Sequence, residues 1–309
     1  KKDYKLLIII MLSILNKVIL SAISLLPKKM VYIFAGRYVA GSNMDSAIEA
    51  TRIVNELGYS ATLDILGEHT KTIEESNQIS EDYIQLYQKI KKHKLDSNIS
   101  IKPSHIGLDI SYELCLKNLL SISHKAIETN NFLRIDMESS KHTDDTINLL
   151  NDSYKEFQNT GTVFQAYLHR TLDDIINLNY KNINYRLCKG IYKEPSDISI
   201  HDRAKINDNY LKILEQGFKL GHYIGIATHD IELLQRIYDL IDRMNIDKNQ
   251  FEFQVLYGVP MHGWLRKHTQ NGYKVRVYIP FGPDWYDYSI RRLKENPNIM
   301  WYVIKNLFK

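Results

Sequence analysis

The most constraining feature of this chain is an alternation of short β-rich runs with longer amphipathic stretches, sustained from residue 61 to near the C-terminus. The runs fall at Ala61 to Leu66, Ile99 to Lys102, Phe132 to Asp136 and Val163 to Ala166, then at Tyr185 to Cys188, Tyr223 to Ala227, Phe251 to Leu256 and Val275 to Ile279. Between them, Ile73 to Ile90, Ile147 to Phe157, Ile206 to Phe218 and Ile231 to Met244 carry apolar residues at helical spacing. Strands separated by helices favour a parallel sheet, because each helix carries the chain back to the same edge. Eight such units favour closure into a (β/α)8 barrel of the α/β class over an open sheet. Ahead of them, Asp45 to Leu57 reads as a helix ended by Gly58. The expected organisation is an N-terminal helical segment over 1–58, packed beside a TIM-type barrel over 59–309. With 309 residues, 44% of them hydrophobic, and no Ser/Gly/Pro-rich linker or internal repeat, the chain can bury one sizeable core.

The charge balance excludes some partners. Forty basic against 36 acidic residues leave a formal charge of +4, too mild for nucleic acid but suited to anionic lipid or an anionic substrate. Cys115 and Cys188 are far apart, which rules out a disulfide framework and a C-x-x-C motif and fits a reducing cytoplasm. Leu6 to Leu26 is apolar and flanked by lysines, yet Asn16 and Lys17 stand at its middle. A lysine there costs roughly 2.5–3.5 kcal/mol on insertion scales. Leu7, Met11, Ile14, Val18, Ala22 and Leu25 recur at helical spacing, so the segment is expected to pack on protein or lie on a membrane surface, without spanning it. No small-residue cleavage signal follows, and Pro27 ends the helix. The expected location is cytoplasmic, peripheral on the inner face of the membrane.

In barrels of this class the active site collects at the C-terminal ends of the strands. Those ends carry Glu68, Lys102, Asp136, Gln165 and Arg186, then Thr228 with His229, Tyr257 and Tyr278. One polar residue at a strand end is ordinarily a solvated or capping group; a ring of them would converge on one mouth. After the last run, Pro280 and Gly282 break the strand, and a helix-compatible segment places Tyr288, Arg291, Arg292 and Glu295 on one face. Two adjacent guanidiniums form an anion clamp. The competing reading is a solvated helix whose Arg and Glu pair, worth about 0.2–0.5 kcal/mol per pair. The histidines lack ligand spacing and no H-E-x-x-H occurs, so no metal site is expected. Neither G-x-G-x-x-G, a P-loop nor G-x-S-x-G is present. What remains is a bound cofactor with phosphates, or Schiff-base chemistry at a lysine such as Lys102 or Lys189.

Taken in order, L-D-I-L-G-E (Leu63 to Glu68), S-I-K-P (Ser100 to Pro103), L-R-I-D-M-E (Leu133 to Glu138) and F-Q-A-Y-L (Phe164 to Leu168) lead into Y-R-L-C-K-G-I-Y (Tyr185 to Tyr192). A-T-H-D (Ala227 to Asp230), F-E-F-Q-V-L-Y-G (Phe251 to Gly258) and a closing Y-x-x-R-R-x-x-E complete the set. Together they resemble the monofunctional bacterial proline dehydrogenases, from about Tyr38 to Pro297. The resemblance implies an FAD-dependent barrel that oxidises L-proline to Δ1-pyrroline-5-carboxylate and passes electrons to a membrane quinone. It implies that Lys102, Arg291 and Arg292 hold the proline carboxylate, with Glu68 as ion-pair partner of Arg291 closing the site. Asp136 and Arg186 look like the family's pair at the reactive face of the flavin. Contacts to FAD would come from Met137, Gln165, Lys189, Gly190, Ile191, Thr228 and His229, while Tyr192, Tyr278, Tyr288 and Leu256 would wall the substrate ring. Cys188, where a branched aliphatic residue is expected, and Met137 depart slightly from the pattern; Cys188 reads as a small buried hydrophobe. Two other activities compete: a dehydrogenase for hydroxyproline or a related cyclic or N-methyl amino acid, and a Schiff-base lyase using Lys102 or Lys189.

Overall fold

The computed structural model describes residues 36–295, with side chains through residue 290. The segment Leu6 to Leu26 and the side chains of Arg291, Arg292 and Glu295 lie outside the described residues. Eight parallel strands form a closed barrel in chain order: β1 Ser60–Ile65, β2 Ser97–Ile101, β3 Leu133–Ile135, β4 Thr160–Gln165, β5 Asn184–Cys188, β6 Tyr223–Ala227, β7 Phe251–Leu256 and β8 Val275–Phe281. Nine α-helices are described: α1 Met44–Glu56 ahead of the barrel, α2 Ile73–Lys92, α3 Tyr112–Glu128, α4 Thr143–Tyr154, α5 Thr171–Ile176, α6 Arg203–Lys219, α7 Ile231–Met244, α8 Trp264–Gln270 and α9 Trp285–Glu295. The expected (β/α)8 architecture with helical residues packed beside it is what the chain adopts. No helix among the described residues is long and apolar enough to cross a membrane.

Strand alternation divides the barrel into an apolar outside and a polar inside. Leu63, Ile99, Ile101, Leu187, Ile226 and Phe253 are buried, and Phe253 stacks on His268 of α8. The opposite parity bonds across the barrel interior: Thr62 to Asn98 at 2.5 Å, Ser100 to Asp136, and Arg134 to the Asn184 carbonyl at 2.7 Å. Charged and hydroxyl groups survive in such a core only because they are paired. Side chains of Asn43, Thr72, Ser111, Asp202 and Asp230 cap α1, α2, α3, α6 and α7 by accepting first-turn N–H groups.

Most element ends differ from the sequence reading by one to four residues, and two of the differences have a local physical cause. β8 does not break at Pro280; it continues in register with β1, pairing Asp64 with Pro280 and Ile65 with Phe281. Proline removes one donor from the ladder but keeps its carbonyl, which accepts the Ala40 N–H at 2.9 Å. The strand turns away at Gly282, whose φ of +133° few other residues adopt. Helix α4 begins at Thr143, four residues before the apolar periodicity does. Its polar first turn carries Asp144 and Asp145, which the helix N-terminus favours.

Helix α1 packs Ala47, Ala50 and Val54 against the outside of β1 and β8. It stands beside β8, where the last helix of a regular barrel would lie, and α9 is left to place Tyr288 on the cavity at the mouth. The arrangement is tied by Gly282 N–H donating to Gly41 O at 3.0 Å and Arg37 Nε donating to Gly258 O at 3.2 Å.

Two buried imidazoles make stability depend on pH. His268 is fully buried, with Nδ1 against the Tyr238 hydroxyl at 2.9 Å, and burial assisted by Lys267 pushes it down to about 4. Burial, helped by Lys102, pushes His105 down to about 3. Both titrate near 6.5 when unfolded, so below that pH the unfolded chain binds more protons and stability falls with pH. We expect the urea midpoint to drop between pH 6.5 and 4, each histidine contributing up to about 1.4 kcal/mol per pH unit in its window. His268→Gln should flatten that slope; an unchanged slope would show that the His268 ring is not buried neutral.

Candidate active site

A cavity of about 700 Å³ opens at the C-terminal end of the barrel. The end of β2 delivers Lys102, whose ammonium donates to Asp64 Oδ2 of β1 at 2.7 Å. Burial alone would lower Lys102, but the Asp64 and Asp136 carboxylates outweigh it and hold the amine above its ordinary value. Asp64 is 1% exposed, and burial raises its carboxyl against the pull of Lys102.

Asp136, just past β3, is the second fixed charge. It accepts from Arg186 Nη1 at 2.8 Å, from Tyr278 OH at 3.1 Å and from Ser100 Oγ. Burial, reinforced by Asp136, pushes the Tyr278 phenol far above its usual range, so it stays protonated and donates. Arg186 also gives Nε to Gln254 at 2.6 Å, while its Nη2 is buried without a partner among the described residues. A guanidinium held at two nitrogens has its plane fixed at the cavity wall, with its third nitrogen buried and unpaired among the described residues.

The wall formed by β4 to β7 is different in kind. Gln165 Nε2 donates to the Glu138 carbonyl at 2.8 Å, and Glu138 in turn accepts from Ser104 N at 2.8 Å and from Ser104 Oγ. Lys189 is bound to Asp230, which also accepts from Arg203 at 2.9 Å. Burial pulls the Asp230 carboxyl upward, but Lys189 and Arg203 hold it far below the carboxylate range. Thr228 Oγ1 accepts the Asp230 N–H at 3.2 Å, and His229 Nε2 accepts the Leu256 N–H at 2.9 Å, which places the ring proton on Nδ1. Met137, Val163, Val255 and Leu256 supply apolar surface. Gly190, Ile191, Tyr192, Glu68 and Tyr288 also line the cavity. Of the described candidates named from the sequence, all but Tyr257, just past β7, line this cavity. Cys188 lines it as well, and burial pushes its thiol up to about 11.

A family model described as proline dehydrogenase matches residues 47–300. The chain belongs to the proline dehydrogenase family. Proline dehydrogenase 1 of Bacillus subtilis subsp. natto is 36% identical over 275 residues, covering 89% of this chain and 91% of the relative. The proline dehydrogenase of Deinococcus radiodurans is 33% identical over 289 residues, covering 92% and 93%. Among solved structures, proline utilization A from Bdellovibrio bacteriovorus, inactivated by N-propargylglycine, superposes with a TM-score of 0.76 at 23% identity. That likeness covers 85% of this chain and 32% of the larger one, and it shows the shared barrel fold.

In this proline dehydrogenase family member the sequence reading leaves several site residues without a role. Asp64, Gln254, Glu138, Asp230 and Arg203 all line the cavity. Asp64 and Gln254 carried a signal, since each is a polar residue set between apolar neighbours inside a strand. The pairing of Asp230 with Arg203 carried none: 27 residues separate them, and only the packing of α6 against α7 joins them.

Proposed function

We propose that the chain oxidises L-proline to Δ1-pyrroline-5-carboxylate in this cavity, with FAD as its cofactor and a membrane quinone as the final acceptor. Family membership supports the reaction class, and the observation that carries the reading is the buried ion pair of Lys102 with Asp64. An amine held protonated by a buried carboxylate 2.7 Å away is a poor nucleophile and a good anion donor. It suits a substrate carboxylate and argues against the Schiff-base alternative.

The residues present fit a flavin dinucleotide. Arg186 Nη2 is a buried donor with no partner among the described residues, Met137, Val163 and Leu256 offer flat apolar contact, and Lys189, Arg203 and Thr228 add polar groups at the far wall. Bound FAD would supply a two-electron oxidant. Met137, Gln165, Lys189, Gly190, Ile191, Thr228 and His229 would hold it, and Arg186, braced by Asp136, would stabilise negative charge gained on reduction. Lys102, with Arg291 and Arg292 of α9, would hold the proline carboxylate and fix the ring's orientation. Tyr192, Tyr278, Tyr288 and Leu256 would wall that ring, and Glu68 would pair with Arg291 to close the site. A phenol at Tyr278 would favour proline over hydroxyproline by limiting space for an added hydroxyl. We place the protein in the cytoplasm, in peripheral contact with the membrane that holds the quinone.

The test is spectroscopic. Protein reconstituted with FAD should show a flavin band that L-proline bleaches, and denaturation should release all the flavin. A colourless protein, or borohydride trapping of substrate on Lys102, would overturn the reading. Arg291→Ala and Arg292→Ala should each remove a charge-assisted hydrogen bond worth about 1.5–3 kcal/mol, weakening proline binding about 10- to 150-fold and leaving FAD occupancy intact. Normal proline affinity in either variant would remove α9 from the substrate site.

A further inference from the structure

Beneath the cavity, a line of buried side chains runs from Arg186 to the opposite end of the barrel. Arg186 Nε donates to Gln254 Oε1 at 2.6 Å, and Gln254 Nε2 donates to Glu252 Oε1 at 2.7 Å. Glu252 accepts further from Arg276 Nε at 2.6 Å and from Tyr223 OH at 3.1 Å, and Arg276 Nη1 donates to the Ala61 carbonyl at 2.7 Å. Gln254 is 4% exposed and Glu252 3%. Burial would raise the Glu252 carboxyl, but Arg276, Gln254 and Arg134 outweigh it and keep the group ionised.

The direction of the Gln254 amide is imposed by these partners. Arginine Nε can only donate and a carboxylate can only accept, so the amide oxygen must face Arg186 and the amide nitrogen must face Glu252. No other uncharged side chain of this length satisfies both. Space for the amide comes from Gly225 on β6: a Cβ there would run into Gln254 Nε2. Asp136 grips Nη1 and the Tyr278 ring lies 4.9 Å from Cζ, but neither fixes rotation about the Nη1 bond; the second hydrogen bond at Nε sets the guanidinium plane.

We propose that Gln254 is a positioning residue for the oxidation: its amide anchors Arg186 to the fixed charges of the barrel floor and fixes the guanidinium plane at the wall of the cofactor pocket. This rests on the reading that Arg186 faces the flavin. Bleaching of the parent by L-proline tests that reading separately, and the experiments below are interpreted on a parent that bleaches. Gln254→Met keeps the volume and removes both hydrogen bonds. In the FAD-loaded enzyme it should favour the reduced over the oxidised flavin about tenfold less than the parent, a two-electron midpoint potential lower by about 30 mV. kcat should fall about tenfold or more while KM for proline changes less than threefold. In an Arg186→Lys background, which lacks Nε, Gln254→Met should shift the potential less than twofold in equivalent terms. A crystal structure of Gln254→Met should show the guanidinium plane rotated about its remaining bond to Asp136, whether or not cofactor is bound. Should that variant fail to accumulate, Gly225→Ala displaces the amide without removing it and should lower the potential in the same direction. An unmoved guanidinium, a parental potential in either variant, or an equal drop in the Arg186→Lys background would overturn the proposal and leave Gln254 as packing in the barrel floor.

Discussion

Lys102→Met should be among the most damaging single changes in the barrel, because it removes the cation and leaves Asp64 buried at 1% exposure. Breaking a buried pair from one side costs about 3–5 kcal/mol, since the remaining charge has no compensating partner. Asp136 is close enough to raise the Asp64 carboxyl already, so without the ammonium Asp64 will take up a proton more readily still. The sign of the pH effect follows. With the folded value lifted further above the unfolded value near 3.9, the folded chain binds more protons, and stability falls as pH rises from about 4 through the lifted value. Urea unfolding at several pH values should show this extra downward slope in Lys102→Met. Asp64→Asn combined with Lys102→Met should be less damaging than Lys102→Met alone, because no charge is then stranded. Proline affinity should be lost in both. A Lys102→Met protein as stable as the parent at pH 8 would mean that the pair is not buried as described.

Gly190→Ala should come second, and through a different cause. Gly190 follows Lys189 at φ +108°, a conformation that strains any residue with a Cβ, and the added methyl would enter the Tyr167 ring. The ring has little room to yield: Tyr167 is 6% exposed, its N–H donates to the Lys189 carbonyl at 2.8 Å, and its carbonyl accepts from Ile200 at 2.7 Å. Overpacking of about 1–3 kcal/mol adds to left-handed strain of about 1–2 kcal/mol. The loop from Lys189 to Ile191 must then shift, and with it the wall proposed to hold the cofactor. We expect a fall of several degrees in Tm and at least tenfold weaker FAD retention in dialysis. Gly190→Ala paired with Tyr167→Leu should recover part of both. Parental FAD retention in Gly190→Ala would exclude this loop from the cofactor site.

The strand and helix pattern was legible in the chain itself because each element carries its own period. Helix α7 coincides with the stretch read from sequence, Ile231 to Met244, since a strong apolar stripe and an Asp230 cap mark it locally. Lys102 and Asp136 were legible as strand-end residues for a related reason: strand ends are local, and barrels gather them at one mouth. Arg186 and Tyr278, read as strand ends, lie inside β5 and β8 and reach the same cavity from within the strand. Three things were decided only when the barrel closed. Pro280 stays in β8 because β1, more than 200 residues earlier, lies alongside it. Helix α1 takes the place beside β8, and α9 is thereby left to bring Tyr288 to the cavity. The pairing of Lys102 with Asp64, of Lys189 with Asp230 and of Arg186 with Gln254 joins residues 38, 41 and 68 positions apart. Sequence period shows which face of a strand a side chain occupies, but a buried charge settles on whichever partner the closed interior brings within hydrogen-bond reach, because unpaired it would not stay buried.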